Sequence, residues 1–149
     1  MDTSPVAAQV AYFLMAYHDL RMAAGWPLVL ALDFEYTQGS ADATSTGYAA
    51  EFARSICAAT GIWPLLYTGR WDIDPQVKGS VLAACPLWLA EYGDNPVPPK
   101  GWADYTWWQK YGDGLNGAPD VPVLGRTIDQ SLFSGSLDEA KAWWAMHSV

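Results

Sequence analysis

The chain has 149 residues, of which 51% are hydrophobic and only 16% are charged, a composition that supports one folded domain and excludes a disordered chain. Its formal net charge of −8, with only eight Lys and Arg residues, excludes the basic surface of a nucleic-acid-binding protein and a polybasic membrane patch. Nine Trp and eight Tyr residues stand out. Aromatic rings fill protein cores, but they also stack on sugar rings, and with so few charges they favour a neutral, polyhydroxylated ligand.

The first residues carry no positively charged segment, and the apolar stretch after them is interrupted by Gln9, Asp19 and Arg21. We therefore predict neither a signal peptide nor a membrane span at this end of the sequence. Two cysteines, Cys57 and Cys85, are too few for a disulfide framework. No His or Cys partner stands at metal-ligand spacing, so both are predicted to be buried thiols, with a disulfide between them as the alternative.

Helices and strands alternate along most of the predicted chain. Helices are predicted from Ser4-Pro5 to Gly25, from about Gly47 to Gly61, from Asp74-Pro75 to near Ala84, and from Ser136 to about Met146. Strands are predicted at 28–32, 62–67, 86–92, 105–111 and 127–131. The apolar run at 28–32 is typical of a strand buried on both faces. Alternation of this kind predicts an α/β fold with a parallel sheet, although no helix separates the last strands.

Runs of small and turn-forming residues predict two loops, and capping residues predict where two of the helices begin. Residues 39–46 and 112–125 are predicted to be loops. Pro5 after Ser4 predicts a capped helix start, and Ser136 with Glu139 three residues later forms a capping box.

Acidic and aromatic side chains collect where the predicted strands end. The first strand ends in Asp33 and Glu35, whose side chains share one face because they are two residues apart, with Cα atoms roughly 6.5–7 Å apart. Active groups of parallel α/β sheets lie at the carboxyl ends of the strands. The other strand ends bring Tyr67, Trp88, Tyr92, Trp108, Gln109 and Asp129 to the same mouth.

Paired carboxyl groups fit the hydrolysis of a glycosidic bond. One carboxyl group must hold a proton for the leaving oxygen, and the other must be ionised to stabilise or attack the reacting carbon. Neighbouring negative charge and apolar walls, here Phe34 and Trp88, separate the two pKa values.

Other interpretations of the same residues stay open at this point. An Asp-x-Glu sequence after an apolar run also fits a solvated strand end, a helix cap or a divalent cation site. The sequence contains no EF-hand and no phosphate-binding glycine loop, and His18 and His147 lie on predicted helices away from the strand ends. We predict no metal, no cofactor and no nucleophilic triad.

Five segments, in chain order, resemble motifs of glycoside hydrolase family 25, the Chalaropsis-type lysozymes. They are Leu30–Glu35, Pro64–Gly69, Pro86–Tyr92, Trp107–Gln109 and Ile128–Phe133. The resemblance implies a modified, TIM-like β/α barrel without helices between its last strands. It also implies cleavage of the β-1,4 bond between N-acetylmuramic acid and N-acetylglucosamine in peptidoglycan.

The resemblance also implies roles for individual residues. Glu35 corresponds to the general acid, Asp33 to its partner carboxylate and Asp129 to a further acidic position, while Tyr67, Trp88, Tyr92, Trp108 and Gln109 correspond to residues lining the sugar cleft. Two departures from the family pattern matter. Ser131 stands where the closing motif usually has Asn, and the three N-terminal strands of the barrel, with one further Asp, have no counterpart. Residues 1–149 are therefore predicted to form a single, N-terminally truncated catalytic domain and a partial barrel, which a homo-oligomer or a complementing chain would complete.

The expected partner is the peptidoglycan glycan strand, with no role for nucleic acid or membrane. An endolysin-type antimicrobial enzyme without a signal peptide would be made in the bacterial cytoplasm and reach the cell wall by phage-type release or another export route. Three rival hypotheses remain. The chain could be a catalytically impaired cell-wall glycan-binding module, a structural remnant that binds no glycan, or a barrel hydrolase of another polysaccharide.

Overall fold

The computed structural model describes residues 5–35, 43–70, 80–112, 119 and 127–149. Within these ranges lie the helices α1 (Val6–Ala24), α2 (Ala43–Thr60) and α3 (Leu137–His147) and a short 3-10 helix (Val81–Ala84). The strands are β1 (Ala31–Asp33), β2 (Leu65–Gly69), β3 (Leu87–Ala90), β4 (Trp107–Tyr111) and β5 (Gln130–Phe133).

The five strands form one sheet in the order β1-β2-β3-β4-β5. The first four strands are parallel, and β5 runs antiparallel to β4. An antiparallel neighbour needs no crossover helix, which explains why the sequence shows no helix signal before β5. The predicted α/β class with a mostly parallel sheet is confirmed, and the described connection between β3 and β4, residues 91–106, contains no helix.

Helix α2 covers one face of this sheet. Leu66, Leu87 and Leu89 are fully buried on that face, and Ala49 and Ala53 of α2 belong to the same core. Small alanines let the helix backbone approach the strands closely, so that little space is left between the layers. Helix α1 packs in turn on α2 through a second core cluster that includes Val6, Val10, Leu30 and Ile56.

The prediction that the first strand is buried on both faces was wrong. Leu30 and Leu32 pack into the two cores, whereas Ala31 and Asp33 are exposed. Strand β1 lies at one edge of the sheet, and the helices cover only the face of Leu30 and Leu32. The alternation of buried and exposed residues along β1 is the pattern of a strand with one open face.

The helix ends follow local signals more closely than the helix starts do. Gly25 and Gly61 adopt positive φ angles of 75° and 78° directly after α1 and α2, as predicted for glycine at a helix end. Helix α1 begins after Pro5, which makes no side-chain cap, and Ser4 lies outside the described residues. Helix α2 begins at Ala43, inside the predicted loop.

The two remaining predicted helices differ in outcome. Of the helix predicted from Asp74, the part up to residue 79 lies outside the described residues, and the rest is the 3-10 helix. The capping box at the start of α3 is confirmed, because Ser136 and Glu139 each accept a hydrogen bond from the backbone of the other.

Helix α3 links the two ends of the sheet. Trp143 packs against Trp107 and Phe133 at the β4–β5 end, and the backbone of Val149 donates to the carbonyl oxygen of Leu28, just before β1. Within the described residues no further strand pairs with the outer edge of β1 or β5. The predicted homo-oligomer or complementing chain stays a prediction. Among the helices described, none is long and apolar enough to cross a membrane.

Both cysteines are free thiols, as predicted. Cys85 is buried, but Cys57 is only half-buried, which corrects the prediction of two buried thiols. Burial, with a smaller effect of Cys57, raises the pKa of the Cys85 thiol from 9.0 to about 12.

We expect stability to depend on pH through Cys85. The unfolded thiol ionises near pH 9 while the folded thiol does not, so its stabilising contribution is complete below that pH and is lost as pH rises towards about 12. Urea unfolding at increasing alkaline pH should therefore show a steeper loss of stability for the parent than for Cys85→Ala. Because tyrosines also titrate in this range, the difference between the two proteins is the quantity to measure; equal slopes would contradict the prediction.

Candidate active site

The face of the sheet opposite α2 carries a row of polar and aromatic side chains. The strand register places Asp33 beside Tyr67, Tyr67 beside Trp88, and Trp88 beside Trp107. Cross-strand partners project from the same face. We call this surface the cleft face. Its open part lies around Asp33, Tyr67 and Trp88, because Trp143 of α3 packs against Trp107.

Hydrogen bonds and ring contacts connect four strands across the cleft face. The Tyr67 hydroxyl on β2 donates to Oε1 of Gln109 on β4 over 2.5 Å. The Tyr67 and Trp88 rings meet edge to face, with centroids 5.1 Å apart. Trp88 Nε1 on β3 donates to Oγ of Ser131 on β5 over 3.0 Å. These contacts fix the orientation of both rings.

The three predicted carboxylates all raise the pKa of Tyr67, and two of them also raise the pKa of Tyr92. Burial, followed by the charges of Glu35, Tyr92, Asp33 and Asp129, raises the pKa of Tyr67 well above its usual value. Burial, followed by Asp129 and Glu35, raises the pKa of Tyr92. Because such effects weaken with distance, Tyr67 lies within electrostatic range of all three carboxylates, and Tyr92 lies within range of Asp129 and Glu35. Both phenols keep their protons at neutral pH.

The carboxylates themselves are open to solvent. Asp33, Glu35 and Asp129 are all exposed, so each can reach a bound molecule. In the part of the chain that the structure describes, no group of three or more His, Cys, Asp or Glu side chains could hold a metal ion. The arrangement offers carboxyl oxygens beside an aromatic surface, which suits proton transfer and charge stabilisation on a sugar ring.

The sequence model of glycosyl hydrolases family 25 matches residues 1–116 of this chain. The chain belongs to this family. No curated protein sequence matches it significantly.

Solved structures of family 25 and of phage lysins share the fold. A muramidase from Acremonium alcalophilum is 25% identical, with a TM-score of 0.54 over 75% of this chain and 53% of that chain. A family 25 glycosyl hydrolase from Bacillus anthracis is 18% identical, with a TM-score of 0.61 over 78% of this chain and 54% of that chain. The catalytic domain of endolysin ply40, from bacteriophage P40 of Listeria monocytogenes, is 18% identical, with a TM-score of 0.60 over 92% of this chain and 63% of that chain. The chain thus spans little more than half the length of these structures.

The assignment of Trp108 to the cleft was wrong. Trp108 pairs with Leu89 on the helix-covered face, is only 6% exposed, and its indole nitrogen donates to the Glu91 carbonyl oxygen over 2.6 Å. Adjacent strand residues face opposite sides, so a difference of one position decides which ring faces the cleft. In this family 25 chain it is Trp107, part of a family-like segment but not predicted to line the cleft, that lies on the cleft face beside Trp88.

Phe34 also lies on the wrong side to wall the carboxylates. It packs with the core cluster beneath α2, whereas Asp33 and Glu35 on either side of it in the sequence are exposed. Of the two predicted apolar walls, only Trp88 stands on the cleft face. Ser131 is the residue that stands where the family 25 pattern usually has Asn. Its hydroxyl oxygen accepts a hydrogen bond from the Trp88 indole nitrogen.

A separate cavity lies at the amino-terminal ends of β2 and β3. Its volume is about 240 Å³, and its lining includes Ile62, Trp63, Pro86 and His147. It is remote from the carboxylates, and it contains none of the predicted family 25 site residues. His147 stacks on Trp143 with ring centroids 4.4 Å apart, and His18 is exposed on α1, so neither lies at the carboxyl ends of the strands, as predicted.

We expect Trp88→Ala to weaken glycan binding more than it weakens the fold. Its ring is half-buried, and loss of such a stacking surface should raise the Kd for an N-acetylchitooligosaccharide about tenfold, or about 1.4 kcal/mol. Calorimetric titration measures the affinity, with Trp144→Ala, an exposed position on α3, as the matched control. An aggregated Trp88→Ala protein would mean that the ring serves the core instead.

Proposed function

We propose that this chain carries the catalytic site of a peptidoglycan hydrolase of the muramidase type. It would cleave the β-1,4 bond between N-acetylmuramic acid and N-acetylglucosamine, with Glu35 as the general acid and Asp33 as its partner carboxylate. Asp129 would be a further acidic group of the site, and Tyr67, Trp88, Tyr92 and Gln109 would bind or position the glycan.

One observation carries the proposal. Glu35, Asp33 and Asp129 all raise the pKa of the same tyrosine, Tyr67, whose ring lies edge to face against Trp88. Several carboxyl groups beside an aromatic surface, at the carboxyl end of a parallel sheet, are what the hydrolysis of a neutral polysaccharide requires. Family membership supports the same chemistry.

The two carboxyl groups would divide the work between two protonation states. Protonated Glu35 gives its proton to the oxygen of the leaving sugar as the glycosidic bond breaks. The carboxylate of Asp33 stabilises the positive charge that develops at the anomeric carbon. Glu35, now ionised, takes a proton from the water that attacks this carbon, so the original charges are restored.

The cell wall would be the place of action, which the protein reaches by phage-type release or by another export route. Staining of the protein on isolated bacterial sacculi, with and without an excess of soluble peptidoglycan fragments as competitor, tests this location. Glycan-independent staining would contradict it.

Mass spectrometry of the digestion products tests the proposed bond. Purified peptidoglycan is incubated with the protein, and new ends are reduced with borohydride. The proposal predicts new ends made of reduced N-acetylmuramic acid, and Glu51→Gln, which alters an exposed carboxyl group on α2, should give the same products. New ends of N-acetylglucosamine, or products only from another polysaccharide, would contradict it. Binding to peptidoglycan without any product would favour the alternative, a cell-wall glycan-binding module.

A further inference from the structure

The Tyr67 hydroxyl group has its single proton engaged within the protein. That proton is donated to Oε1 of Gln109 over 2.5 Å, and the Gln109 side chain is only 4% exposed. A phenol has one proton and two acceptor lone pairs. While this hydrogen bond holds, the Tyr67 oxygen can only accept a hydrogen bond from a bound molecule.

Two neighbours of Tyr67 on the cleft face also have no free proton to donate to a ligand. The indole N–H of Trp88 is engaged with Ser131 over 3.0 Å, so Trp88 offers a ligand its ring. Asp33 stands beside Tyr67 in the strand register, and an ionised carboxylate is an acceptor with no donor. Tyr67, Trp88 and Asp33 therefore offer a ligand acceptors and a ring face but no free donor, and together they fit a ligand group that supplies a donor.

Donor groups of a sugar differ in how well an acceptor can select them. A hydroxyl group both donates and accepts, so it can turn to suit either kind of partner. An amide N–H can only donate, and it is left unsatisfied if the protein group opposite it also donates. An oxygen whose own proton is engaged elsewhere is thus suited to recognise an amide N–H.

We infer that Tyr67 is a specificity-determining residue that accepts a hydrogen bond from the acetamido N–H of an N-acetylated amino sugar. Gln109 is the positioning residue, because it holds the Tyr67 proton away from the ligand. This inference rests on the proposed function, since it assigns a substrate contact within the same site.

A pair of matched tetrasaccharides tests the contact. One is N-acetylchitotetraose, and the other carries acetoxy groups in place of its acetamido groups, which keeps every carbonyl and removes every N–H. We expect the parent protein to bind the amide about tenfold more tightly than the ester. Tyr67→Phe should reduce this preference to about twofold or less, whereas Tyr12→Phe, on the exposed side of α1, should keep it.

Gln109→Leu separates positioning from simple loss of contact. Without the glutamine oxygen, the Tyr67 proton is free to donate to the carbonyl group that both ligands share. Binding of the ester should improve relative to the parent protein while the preference for the amide falls. A merely structural role of Gln109 would weaken both ligands equally, and circular dichroism verifies that each variant is folded.

The outcomes separate this inference from the proposed function. Equal binding of amide and ester by the parent, or an unchanged preference in Tyr67→Phe, would overturn the inference while peptidoglycan hydrolysis still supported the function. If the parent bound neither tetrasaccharide and left peptidoglycan intact and unbound, both would fall together.

Discussion

Glu35→Gln is expected to reduce peptidoglycan hydrolysis by about 100-fold or more, because removing a general acid typically costs a factor of 10² to 10⁴. Glutamine keeps the shape and hydrogen bonding of the side chain but cannot give up a proton to the leaving oxygen. Glu35 follows β1 and is exposed, so its replacement should leave folding and glycan affinity nearly unchanged. The release of new reducing ends from purified peptidoglycan measures the rate.

The control for this variant is Glu51→Gln, which neutralises an exposed carboxylate on α2 and should hydrolyse at the parent rate. A Glu35→Gln protein that keeps a near-normal rate would mean that another group donates the proton. A variant that loses glycan affinity together with hydrolysis would assign Glu35 to binding instead.

Asp33→Asn is the second change with a large expected effect. Asp33 is exposed at the end of β1 and stands beside Tyr67 in the register, where its negative charge would face the developing positive charge of the sugar. Loss of such a preorganised electrostatic interaction should lower kcat by about 10²–10³-fold, with little change in KM, because asparagine keeps the volume and removes only the charge.

Single-turnover hydrolysis of a soluble muropeptide oligomer separates these two parameters for Asp33→Asn. Asp19→Asn, an exposed residue of α1, is the matched control for a lost surface charge. A rise in KM with kcat unchanged would show that Asp33 binds the glycan equally in the ground state and the transition state, which contradicts a role specific to the transition state.

The order of elements and the parallel sheet could be predicted because their signals are local. Glycine at positive φ after α1 and α2 and the capping box of α3 are each set by a few neighbouring residues. The one-sided burial of β1 could not be predicted, because its apolar sequence fits a covered strand, and its exposure depends on which elements of the fold lie next to it.

Part of the candidate site could likewise be predicted from the sequence and part could not. The strand-end rule placed Asp33, Tyr67 and Trp88 in one region, and the register sets them side by side. It failed for Trp108, because β4 begins with two adjacent tryptophans and only the strand register decides which of them faces the cleft. The hydrogen bond between Tyr67 and Gln109 joins strands that are not neighbours, so no sequence spacing indicates it.

Titration of isotope-labelled protein with N-acetylchitotetraose, followed by NMR, locates the bound glycan most directly. We predict that the indole N–H signal of Trp88 and the side-chain amide signals of Gln109 shift together with one Kd, while the indole signals of the exposed Trp26 and Trp144 stay in place. Shifts confined to Trp63 and His147, which line the cavity at the other end of the sheet, with Trp88 unaffected, would contradict a glycan site on the cleft face.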